Sequence, residues 1–164
     1  MKRMLLAALT LLPLIALPTA GADDVTCSGT LRNRTVDGDV KVRRGATCTL
    51  INVRVDGNVE VERGGSVTIR NSTIDGNVEG EDGFRQITVT GSRVDGNLKG
   101  ERGGGVTVEN TRVDGNIELE RNSGALRVSR VTVDGNLECE NNARTPTGGS
   151  NRVEGNREGQ CRRL

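Results

Sequence analysis

The sequence predicts an all-β fold, a single-stranded parallel β-helix (β-solenoid) of about six to seven coils with about 19–20 residues per coil. Three observations lead there. A Val/Ile-Asp-Gly-Asn unit recurs seven times, beginning at Val36, Val55, Ile74, Val94, Val113, Val133 and Val153, in steps of 19 or 20 residues; the first copy reads VDGD and the last VEGN. Between copies, β-branched residues alternate with polar ones at period two. The chain also has no Trp or Tyr and a single Phe84, so its core must be a thin layer of small aliphatic side chains, which suits a stack better than a globule. A unit this short cannot bury its apolar residues alone and is stable only against its neighbours.

Taken in order, Lys2 and Arg3 precede an apolar run from Met4 to Leu17, and Ala20-Gly21-Ala22 offers a small-residue cleavage site. Residues 1–22 therefore read as a secretory signal peptide. The run is too short for a membrane anchor, which needs roughly 20 apolar residues, and no Cys follows the small-residue site to carry a lipid. Residues 23–164 form the solenoid domain: an N-terminal disulfide-capped coil over 23–50, regular coils over 51–138, and a C-terminal disulfide-capped coil with its tail over 139–164. Removing Lys2 and Arg3 from 23 Lys/Arg against 22 Asp/Glu leaves the remainder near neutral, without the concentrated basic surface that nucleic acid requires. The absence of His removes imidazole bases and metal ligands.

One coil shows the pattern. Val53, Val55, Val59 and Val61 alternate with Arg54, Asp56, Glu60 and Glu62; Gly64-Gly65 turns the chain; Val67 and Ile69 flank Thr68. The template returns with Val78, Ile87 and Val89, with Leu98, Val106 and Val108, and with Ile117, Leu119, Leu126 and Val128. Parallel strands one coil apart lie about 4.8 Å from each other. The repeat glycines Gly38, Gly57, Gly76, Gly96, Gly115, Gly135 and Gly155 fit a corner, where Gly supplies a positive or crowded φ/ψ. They equally fit a strand position facing a narrow core. The corner reading stacks Asp39, Asn58, Asn77, Asn97, Asn116, Asn136 and Asn156 in a hydrogen-bonded ladder.

Four cysteines in an exported chain suggest two disulfides. Cys27 and Cys48 stand 21 residues apart and Cys139 and Cys161 stand 22 apart, about one coil each. Crossed pairings would span roughly 20 Å, so the stack selects Cys27–Cys48 and Cys139–Cys161, one staple at each end. Metal binding by these Cys is disfavoured because no CxxC pair exists.

Stacking turns every outward residue into a column. Glu60, Glu79, Glu118 and Glu138, interrupted by Lys41 and Lys99, run beside Glu62, Glu81, Glu101, Glu120 and Glu140, with Asp56, Asp75, Asp95, Asp114 and Asp134 nearby. Like charges this close repel; Arg54, Arg93 and Arg112, and Arg44, Arg63, Arg102 and Arg121, are candidate compensators. The face reads either as a solvated, salt-bridged surface or as an array for Ca²⁺ or a cationic partner, although the Gly/Asp-rich nonapeptide of calcium-binding β-rolls is absent. Thr49, Thr68, Thr88 and Thr107 resemble the Thr face of ice-binding solenoids, but Arg127 interrupts the column and Thr also simply suits an exposed strand. Larger β-helical enzymes place paired carboxylates in a cleft built by long loops; here the carboxylates repeat uniformly, and no catalytic residue, resident metal or cofactor is expected.

The V-D-G-N-V-E-V and G-x-V-T-V segments, with the CSGTL that opens at Cys27, resemble the repeat of bactofilin-like, polymer-forming bacterial β-helices, and more closely that of secreted bacterial β-solenoid proteins of unknown role. The resemblance covers Cys27 to about Asn156 and implies a right-handed coil. It also raises filament formation, from which the signal peptide and stapled ends depart. The expectation is a non-catalytic, secreted or periplasmic structural or surface-binding rod, monomeric, without a membrane segment after cleavage, whose partner is an envelope or matrix component. The alternative is a binding module whose acidic face takes calcium or a basic partner.

Overall fold

The computed structural model describes residues 23–164 as a β-solenoid of about 7 turns; the signal-peptide assignment lies outside the described residues. Each coil has three sides. The first carries Val25–Thr26, Val40–Val42, Val59–Val61, Val78–Gly80, Leu98–Glu101, Ile117–Glu120, Leu137–Glu140 and Arg157–Gly159, eight parallel strands in register. The second carries Ser66–Arg70, Gln86–Thr90, Gly105–Glu109, Leu126–Ser129 and Thr147–Gly149. The third carries two-residue strands, from Thr73–Ile74 to Arg152–Val153. In the lowest two coils the second and third sides are one bent strand each, Gly29–Val36 and Thr47–Val55.

Two corners are turned by left-handed residues. Between the first and second sides these are Gly45, Gly64 and Gly83 and then Arg102, Arg121 and Asn141; between the second and third they include Asn33, Asn52, Asn71 and Asn110. Asn tolerates this conformation because its short polar side chain bonds locally. This third side is not legible in the alternation, which runs on through Val53 and Val55 as if strand and corner were one.

The DGN units make the remaining corner, and here the structure corrects the conformational argument. None of the seven repeat glycines has a positive φ. What excludes a side chain is the coil beneath: a Cβ on Gly57 would lie 2.7 Å from the Gly38 carbonyl oxygen and 2.3 Å from Asp39 Oδ1, and Gly76, Gly96, Gly115, Gly135 and Gly155 meet their lower neighbours in the same way. The close approach lets Gly76 N–H donate to Gly57 O at 3.1 Å and continues coil by coil. Beside it, Asn58 Oδ1 accepts the backbone N–H of Asn77 at 2.8 Å, and Asn77 Oδ1 that of Asn97 at 2.8 Å. The Asn column thus ties side chain to backbone.

The narrow-core role belongs to other glycines. Phe84 is buried in the lumen, and a Cβ on Gly80, Gly100 or Gly103 would lie 2.4, 3.2 or 2.1 Å from its ring. Gly80 and Gly100 are in register with Val61 below and Leu119 above, so two coils give up an aliphatic side chain to admit one ring. Elsewhere the lumen is filled by columns such as Val40, Val59, Val78, Leu98, Ile117 and Leu137, all fully buried, each side chain contributing about 1.5–3 kcal/mol.

Candidate binding face

Both ends of the lumen are crossed by disulfides, Cys27–Cys48 with Cα atoms 5.6 Å apart and Cys139–Cys161 with Cα atoms 5.2 Å apart. All four Cys are buried. The bridges join the residues that the one-coil spacing selects, and two disulfides fit an oxidising, extracellular setting. Other end devices accompany them. Pro146 is buried in the last coil, one coil above Leu126; since Val106 donates its N–H to the coil above, Pro at the corresponding top position removes a donor that would face nothing. Arg157 stands in register with the inward Leu137 and donates to Asn151 O at 2.8 Å, and Arg34 stands in register with the buried Val53. Inward charges on terminal coils oppose edge-to-edge association.

The outward charges separate into two systems. On the third side, Arg54 bonds Asp56 in its own coil at 2.9 Å and Asp75 in the next; Arg93 joins Asp95 to Asp114, and Arg112 joins Asp114 to Asp134. The five aspartates proposed for an acidic binding face are therefore tied into an intercoil ion ladder. Hydrogen bonding to Asp95 raises the Arg93 pKa further. The ladder is incomplete where Thr73 and Thr132 replace Arg, and there Asp75 Oδ1 and Asp134 Oδ1 are buried without a hydrogen-bond partner among the described residues.

The glutamates on the first side are less compensated. The register places Lys41, Glu60, Glu79, Lys99, Glu118 and Glu138 in one column. Lys99 bonds Glu101 at 3.2 Å, Arg121 bonds Glu120 at 2.6 Å, and Asn136 donates to Glu138 at 3.1 Å. Arg102 turns mainly to Asp82 at 2.8 Å. Burial pushes the Glu60 pKa up; Lys41 opposes this, while Asp39, Glu79 and Glu81 add to it. Toward the upper end, Glu101, Glu118, Glu120, Glu138 and Glu140 line a groove of about 170 Å³ floored by Leu119. Among the described residues no group of three His, Cys, Asp or Glu side chains could hold a metal ion, because the strand register spaces the carboxylates instead of converging them.

The threonine column is longer than the sequence pattern indicates: Thr30 joins below Thr49 and Thr147 follows Arg127. The Arg127 interruption is real, and it is held to Glu109 at 2.5 Å.

Sequence reasoning missed the Phe84 nest, although Gly at two strand positions beside the lone aromatic was a usable signal. It also missed the buried Asn122 and Asn142, whose Oδ1 atoms accept the N–H of Gly103 at 3.0 Å and of Asn122 at 2.9 Å, with Gln160 Oε1 closing the ladder on Asn142 N–H at 2.9 Å. Together these features define a disulfide-closed parallel β-solenoid with an ion-laddered side and a glutamate-rich side. Comparison with protein-family models, curated proteins and solved structures finds no match to this chain.

Proposed function

We propose that this protein is a non-catalytic, exported structural or surface-binding rod that works as a single solenoid. The observation that carries the reading is the construction of the ends. Among the described residues the first side holds eight strands while the second holds seven, so copies stacked end to end would meet on the first side before the others closed. Arg34, Pro146, Arg157 and the two disulfides oppose the same contact. On this reading the bactofilin-like repeat serves stacking within one chain, and filament formation is not part of the role. The uniform side columns support display to an envelope or matrix component over catalysis at one point.

Light scattering on the oxidised protein after size exclusion, combined with fractionation of the native cells, tests the proposal. A monomeric, elongated particle in the periplasmic, envelope or medium fraction is expected; filaments, or a cytoplasmic location, would overturn it.

The second reading, recognition of a basic partner, is favoured by the Glu101–Glu140 groove. Separately spaced carboxylates suit several cationic groups better than one calcium ion. Calcium raising the melting temperature more than sodium at matched ionic strength would reverse that preference.

A further inference from the structure

The two ends of the stack are not finished alike. At the upper end the edge strands are only two or three residues long, and Pro146 and the segment from Gln160 to Leu164 interrupt them. At the lower end, Gly29–Val36 is an eight-residue strand that has one pairing partner among the described residues, Thr47–Val55 above it. In higher coils the residues in register with Thr35 donate downward, as Arg93 does to Ser72 O at 2.9 Å and Arg112 to Ser92 O at 3.0 Å. Among the described residues no strand lies below Thr35 to accept this bond. Val25–Thr26 covers the end only on the first side.

The side chains along this edge specify what would fit. Leu31 packs on the core but stays partly exposed, since no strand among the described residues covers it from below. Arg32 and Arg34 are exposed, and neither forms an ion pair with a described carboxylate, whereas Lys41 in the same end region is neutralised by Asp24 at 2.7 Å. Two copies meeting edge to edge in antiparallel fashion would set Arg32 and Arg34 of one against Arg34 and Arg32 of the other, and like charges directly opposed are destabilising. An unpaired row of N–H and C=O groups is read by another peptide backbone; the two arginines then select its charge.

We propose that the Gly29–Val36 edge is a strand-docking site for an extended acidic peptide, which adds beneath it with carboxylates at Arg32 and Arg34 and an apolar side chain over Leu31. This site is separate from the glutamate face, and peptide binding or its absence does not bear on the reading given above; only a second copy found on this edge would overturn both.

The probes are two fluorescent heptapeptides, Thr-Leu-Glu-Asn-Glu-Thr-Val, whose Asn can take the left-handed corner that Asn33 makes in this chain, and the same peptide with Lys for both Glu, titrated against the oxidised protein by anisotropy. The acidic peptide should bind at least tenfold more tightly than the basic one, the order should invert with R32E/R34E, and hydrogen exchange over residues 29–36 of the unsubstituted protein should slow when the acidic peptide is added. Equal binding of both peptides, or no binding, overturns the proposal. So does full protection of residues 29–36 before any peptide is added, which would put another part of this chain or a second copy on the edge. The exchange measurement needs no substitution and stands even if the charge-swapped variant fails to fold.

Discussion

Asp24 Oδ1 accepts the backbone N–H of Asp39 at 3.0 Å and so supplies the lowest rung of the Asn column. Asp39 in turn accepts from Asn58 N at 2.7 Å. A side chain at this position needs only to accept, which is why the first repeat tolerates Asp where later ones have Asn. Asp24 Oδ2 also receives Lys41 Nζ at 2.7 Å, and these two bonds hold its carboxyl pKa below the usual range. A folded pKa below the unfolded one contributes stability at neutral pH that disappears as pH falls through the folded pKa. The melting temperature of Asp24→Ala should therefore lie below that of the unsubstituted protein near pH 7, and the gap should close between about pH 5 and about pH 2. A gap independent of pH would show that the carboxylate charge is irrelevant.

Phe84→Ala removes the only aromatic ring from the lumen while Gly80 and Gly100 remain unable to refill it. A loss of about 3–5 kcal/mol is expected in denaturant unfolding. Gly80→Val and Gly100→Leu, each damaging alone because the ring occupies that space, should recover part of the loss when combined with Phe84→Ala. Strict additivity across that cycle would mean that the glycines and the ring are not coupled.

The two classes of glycine separate by substitution. Gly57→Ala drives a Cβ into the backbone of the coil below and should cost on the order of 1–3 kcal/mol through overpacking. Gly45 has φ +72 and open space around its missing Cβ, so Gly45→Asn should be tolerated, as Asn141 is with φ 53 at the same corner of a higher coil, one register position earlier. Equal destabilisation by the two changes would remove the distinction between crowding and backbone conformation.

Thr132→Arg places a guanidinium beside the unpartnered Asp134 Oδ1, with Glu154 of the next coil in reach of the pattern that Arg112 sets. The gain should be modest, a few tenths to about 1 kcal/mol, as for other partly exposed ion pairs, and it should shrink in high salt. A stability increase insensitive to salt would point to packing of the arginine stem instead.

Reduction of Cys27–Cys48 or Cys139–Cys161, or replacement of either pair by Ser, should cost about 3 kcal/mol for loops of this length. Because each bridge staples a terminal coil, hydrogen exchange should accelerate first at the corresponding end. Uniform acceleration along the rod would indicate that the stack unfolds as one unit regardless of its staples.

The spacing of VDGN and the period-two valines were enough to determine the stack, because a unit of this size has no stable alternative to lying on its own copies. Once the coil length is known, one-coil Cys spacings and outward columns such as Glu60–Glu79 follow from addition along the chain. Three-dimensional packing alone decided the rest. Whether Gly57 is required by its own φ or by Gly38 beneath it depends on the separation of two corners, which a linear pattern does not contain. Whether Asp75 stands ready for a ligand or is already held depends on Arg54, 21 residues earlier, reaching across a coil boundary. The repeat therefore dictates which residues become neighbours, while the distances between coils dictate which of those neighbours are already satisfied and which, like Arg32 and Arg34, have no ion-pair partner among the described residues.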